Sequence, residues 1–193
     1  MPRNREGNDQ GMTLEPFFRA APWALPGTAL AGLGFAFLAL PLARKLGSKP
    51  TFAWLYGTAV SGFLTLTVSP SHSIGSHGST SFAFNVRLPS LHELSSINTD
   101  SLNVFAGAAV GGAAALLARD IGHSWPIVLA IALPIGAELS QWALPALGRF
   151  GFSLSDVIAN EIGIAAGAIL GLLVYATLPS KGLRKLSGQS TRR

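Results

Sequence analysis

Seven side chains that a membrane helix rarely carries fall inside or at the ends of this chain's apolar runs: Asp100, Asn103, Glu138, Gln141, Asp156, Asn160 and Glu161. An ionisable group in hydrocarbon costs about 2.5–3.5 kcal/mol at a helix centre on insertion scales, so such residues mark a functional or packing site. Glu138-x-x-Gln141 and Asp156-x-x-x-Asn160 each put both members on one helix face. Arg149, in the connector between them, is the natural counter-charge for Glu138 or Asp156. Three chemistries suit this set. Acids and amides bind the hydroxyls or amines of a head group while Arg149 takes an anionic group. Alternatively, Glu138, with its pKa raised by burial, is a general acid/base and Asp156 its partner or a divalent-metal ligand. The third chemistry is structural: Asn and Gln as interhelical glue, worth about 0.6 kcal/mol on average, and Asp156 as an N-cap aid beside Ser153 and Ser155. Glu161 points about 100° away from Asn160, toward another helix or the interface.

Other reactive groups argue for little. His72, His77 and His92 fit no ligand spacing and read as part of a solvated loop, so no metal site is expected. No G-x-S-x-G context accompanies the many serines. The absence of cysteine removes disulfides, thiolate metal sites and thiol catalysis. Every glycine-rich stretch lies inside an apolar run and not in a phosphate-binding loop, so no cofactor is expected.

The elements that must position these residues follow from hydropathy. The 193 residues are 49% hydrophobic and 12% charged, against about 25% charged in a soluble domain. Five runs are long enough to span a bilayer: 23–43, 52–68, 102–118, 125–144 and 155–178. An all-α bundle of five transmembrane helices is therefore expected over 21–178, with a flexible polar tail at 1–20 and a basic tail at 179–193. The first run exceeds the h-region of a signal peptide, which favours a retained helix. Pro134 is expected to kink the fourth helix. Residues 70–99 form a long loop in which Phe82 to Val86 suits a short interfacial strand or a re-entrant piece. Gly107 and Gly111, and Gly163, Gly167 and Gly171, make narrow faces that fit helix packing within the bundle or between protomers of a homo-oligomer.

The net charge of +5 sits in short loops and the tail and not on a patterned face, which suits membrane orientation better than nucleic acid. With the C-terminal tail inside, nine basic residues are inside (Arg44, Lys45, Lys49, Arg119, Lys181, Arg184, Lys185, Arg192, Arg193) and five outside (Arg3, Arg5, Arg19, Arg87, Arg149). That balance predicts N-outside and C-inside. Asp100, Asn103, Glu138, Gln141, Asp156 and Asn160 then lie within about 10 Å of one depth, at the outer leaflet.

One pattern resembles a known family. Glu138-x-x-Gln141, Arg149, then Phe152-Ser153-Leu154-Ser155-Asp156-Val157-Ile158-x-Asn160-x-x-Gly163-x-x-x-Gly167 is similar to the signature half of the VanZ-like bacterial membrane proteins. Asp100-x-x-Asn103-x-x-x-Gly107 resembles the entry to that family's preceding helix, and Thr65-Leu66-x-x-Ser69-Pro70 the end of its first. The likeness covers about residues 55–175, leaving the run at 23–43 additional to a four-helix core. It implies a multi-pass protein of the bacterial cytoplasmic membrane, of a family whose namesake is linked to low-level resistance to the lipoglycopeptide teicoplanin. The expected role is non-catalytic: Asn103, Glu138, Gln141, Arg149, Asp156 and Asn160 would bind a lipid, a lipid-linked cell-wall precursor or a lipophilic glycopeptide. An intramembrane enzyme using Glu138 and Asp156 is the rival expectation.

Overall fold

The computed structural model describes residues 22–68, 82–84, 86, 88–90, 99–144 and 151–178; both tails, the three loop histidines and Arg149 lie outside these. Five helices follow the five apolar runs: α1 (Ala24–Leu46), α2 (Pro50–Val68), α3 (Thr99–Ile121), α4 (Trp125–Ala143) and α5 (Leu154–Thr177). Each is long and apolar enough to cross a bilayer. α1 extends past its apolar run to take in Arg44 and Lys45, whose charges complement the negative end of a helix. It closes at Gly47, in the left-handed region at φ 68°, with the Ser48 amide returning to the Ala43 carbonyl at 2.9 Å. α3 starts three residues ahead of its apolar run, which places Asp100 in its first turn, where an acid is favoured. α4 runs unbroken through the expected kink position, Pro134.

α3 is the central helix, packed against α2, α4 and α5. The core joins Tyr56 and Phe63 of α2, Val110 and Leu117 of α3, Ala130 and Ala137 of α4 and Ile164 of α5. The closest seam is α3 on α5. A Cβ at Gly107 or Gly111 would overlap the carbonyls of Asn160 or Ile164, and one at Gly163 or Gly167 those of Val104 or Ala108. The glycines of the two helices interleave, and backbone lies on backbone. Lipid tails are as apolar as Leu, so helices in a membrane associate through this kind of close van der Waals approach and not through a hydrophobic driving force. Both glycine faces thus meet each other within the chain.

α1 is peripheral. It packs on α2 by inserting side chains, Thr28 and Phe35, at Gly62 and Gly57, and by a 2.8 Å bond from Trp54 Nε1 to the Gly32 carbonyl. Trp54→Phe keeps an aromatic ring but removes the indole N–H, and that bond with it. Loss of the bond alone should cost about 0.6 kcal/mol, and the smaller ring adds a cavity cost to it. Hydrogen-exchange mass spectrometry should show faster exchange in α1 with α3, α4 and α5 unchanged.

Among the described residues, two short strands accompany the helices. β1 (Phe82–Ala83) and β2 (Phe152–Ser153) pair in parallel, Phe82 opposite Phe152 and Ala83 opposite Ser153. The strand alternative for residues 82–86 is the one adopted, at Phe82 and Ala83. It brings the loop segment onto the start of α5.

Candidate functional site

A helix leaves its first N–H groups and last carbonyls without intrahelical partners, and a membrane interior supplies no water to satisfy them. In this bundle the neighbouring helix supplies the partner. At one end, the Asp120 carboxylate accepts from the Lys49 main-chain N–H at 2.6 Å, ahead of α2. At the other, one turn of α4 serves two neighbours. Glu138, only 4% exposed, accepts through Oε2 from the Ser153 N–H at 2.8 Å. Gln141, one turn on, donates through Nε2 to the Thr67 carbonyl at 3.0 Å. The signs match the helix dipoles: the carboxylate sits at the positive start of α5 and the amide donor at the negative end of α2.

Ser153 is the hinge of this end. Its N–H goes to Glu138, its Oγ accepts from the Asp156 N–H at 3.3 Å and lies 3.0 Å from Ser155 Oγ. The capping role expected of the Ser153–Asp156 segment is the one observed. Beyond it, Asp156 is in hydrogen-bonding reach of Asn103 on α3 and in electrostatic range of Asp100. Asn160 donates through Nδ2 to the Asp156 carbonyl at 2.8 Å. Its Oδ1 is buried without a hydrogen-bond partner, on a residue 2% exposed. The same holds for Oε1 of Glu161.

The structure therefore gathers Asp100, Asn103, Glu138, Gln141, Asp156 and Asn160 at one end of the bundle, as the spacing predicted, but divides their tasks. Glu138 and Gln141 bond to backbone of α5 and α2. Asp100 and Asp156, both half-buried, form a second group with the buried Asn103 between α3 and α5. Arg149, expected as the counter-charge, lies outside the described residues; among those described, neither Asp100 nor Asp156 forms an ion pair. Among them, too, no group of three or more His, Asp or Glu is placed to hold a metal.

Two contributors escaped the sequence reading. The Ser153 N–H and the Thr67 carbonyl are main-chain groups, which have no residue-type signal. The only hint available was topological: a polar pair on the last turn of one helix has helix ends beside it.

Over this end lies an aromatic cluster. The Phe82 ring is 4.9 Å from Trp142, 5.6 Å from Phe152 and 5.8 Å from Phe84 between centroids. No protein-family model, no curated protein and no solved structure matches this chain.

Proposed function

We propose that this chain is a VanZ-like, multi-pass protein of a bacterial cytoplasmic membrane, oriented N-outside and C-inside. In this reading its polar end binds a head group in the outer leaflet without catalysing a reaction. The observation that carries the proposal is the Asp100–Asn103–Asp156 group. The Asp156 carboxylate lies in hydrogen-bonding reach of the buried Asn103 amide and in electrostatic range of Asp100; both carboxylates are half-buried at the end of the bundle, and neither has an ion-pair partner among the described residues. Like charges held together at that depth favour a ligand that brings donors. The ligand class is a head group rich in amines and hydroxyls, as on a lipid-linked cell-wall precursor or a lipophilic glycopeptide. Asn160 Oδ1 is one more unmet acceptor beside the group. Glu138 acts through Ser153 by holding the start of α5, so it is a positioning residue.

The orientation rests on charge. Arg44, Lys45, Lys49 and Arg119 lie toward the end opposite the acidic group, where the helix ends meet at Lys49 and Asp120.

Native mass spectrometry of protein released from a mild detergent tests the binding. Wild type should retain a polar-headed species beyond bulk phospholipid. Asp100→Asn and Asp156→Asn should each lose it, because removing one charge-assisted hydrogen bond of about 1.5–3 kcal/mol weakens binding roughly 10- to 100-fold. Equal retention by wild type and both variants, or retention by none, would count against the reading.

A further inference from the structure

The strap that carries β1 turns large apolar side chains outward at alternate positions: Phe82, Phe84, Val86 and Leu88. Phe84 and Val86 are each 67% exposed and Leu88 is 66% exposed, on a segment held by a two-residue strand pairing and by the packing of Phe82 and Phe84 on Phe152 and of Phe82 on Trp142. Isolated exposed apolar residues are common on soluble proteins; three large ones at alternate positions of one short segment mark a surface that something covers.

The level of the strap is fixed by Trp142. Trp125 and Trp142 open and close α4, both face outward, and stand 17 positions apart, about 26 Å along a helix. Their spacing approximates the roughly 30 Å hydrocarbon thickness of a bilayer, and Trp side chains favour the two interfaces. Between them, Ile131, Ile135 and Leu139 make an exposed apolar face. Phe82 packs on Trp142, so the strap continues this face at interfacial height. Backbone sets the depth limit. A two-stranded ribbon has free edges whose N–H and C=O groups need water or lipid head groups, which excludes the hydrocarbon interior.

We propose that Phe82, Phe84, Val86 and Leu88 of the strap dock into the bilayer interface at the polar end of the bundle, with Phe84 and Leu88 reaching in beneath the head groups. Its occupant is lipid, not a second copy of the chain and not a soluble partner. This holds whatever the acidic group binds.

The chain has no cysteine, so single cysteines can be spin-labelled without altering the background. Phe84→Cys and Leu88→Cys replace exposed side chains and leave the core untouched. Ile169→Cys, on the exposed face of α5, gives a lipid reference, and His123→Cys, in the exposed turn between α3 and α4, an aqueous one. In liposomes, both strap labels should be relaxed more strongly by oxygen than by a water-soluble nickel chelate. Their oxygen-to-nickel ratio should fall between those of Ile169→Cys and His123→Cys. A ratio equal to that of His123→Cys would put the strap in water and overturn the proposal. Protection from both relaxants would put it beneath protein, a second copy included, and would overturn it equally.

Discussion

Gly167→Leu should prevent assembly of the native bundle, or lower its stability by about 3 kcal/mol, the upper part of the usual range for overpacking. A new side chain at this position meets the main-chain carbonyl of Ala108, with the Ala108 Cα just behind. A side chain in that place could rotate away; a helix backbone cannot. α3 and α5 must separate, and the interleaved contacts at Gly107, Gly111, Gly163 and Gly171 separate with them. Gly167→Ala should show the same sign at lower amplitude. Gly136→Ala is the internal comparison: nothing lies within 4 Å of a Cβ there. Helix propensity then makes it neutral or stabilising, by up to about 1 kcal/mol. Unfolding in mixed detergent–SDS micelles, followed by circular dichroism, measures all three. Equal stability of Gly167→Leu and wild type would mean that the α3–α5 seam is not the closest contact of the bundle.

Glu138→Leu should cost about 2–3 kcal/mol, and Glu138→Gln about 1 kcal/mol or less. The reason is the partner. Leu leaves the Ser153 N–H without an acceptor, and a buried donor stripped of its partner loses its full desolvation free energy. Gln keeps a carbonyl oxygen for it and gives up only the charge at the start of α5. The same micelle titration gives stability, and hydrogen exchange at the first turn of α5 gives the local effect. If charge itself were what the protein needs from Glu138, the Gln and Leu variants would be equally impaired. The two predictions are separable: the glycine substitution opens the whole α3–α5 seam, whereas the Glu138 substitution frees one end of α5.

The helices were largely legible because hydropathy is a local, additive signal. Each of the five runs became a helix, and the ends moved by only a few residues. Those shifts came from end effects, such as Arg44 and Lys45 extending α1 and Asp100 starting α3, which act over a single turn. The common level of Glu138, Gln141, Asp156 and Asn160 was legible too, since rise per residue converts position into depth.

Partners were not legible. A carboxylate at position 138 announces that it needs a donor, and Arg149 was the obvious candidate by type. Arg149 lies outside the described residues; among those described, Glu138 accepts from a main-chain N–H fifteen residues away, and Gln141 finds a carbonyl 74 residues away. Every residue offers such groups, so no residue type marks the one that will be near.

By itself, then, the sequence determined the spans, the depth of the polar residues and the two narrow glycine faces. It left open whether those faces met each other or a second protomer, and which of the polar residues would bond to backbone and which would stay half-open. Tertiary structure decided both. Glycine faces attract any closely fitting backbone, and only the parallel placement of α3 beside α5 selects one. Likewise, the loop segment at 82–84 became a strap because Phe82 met Phe152 and Trp142, a contact between three distant parts of the chain. Periodicity cannot encode such a contact, because it describes each element alone.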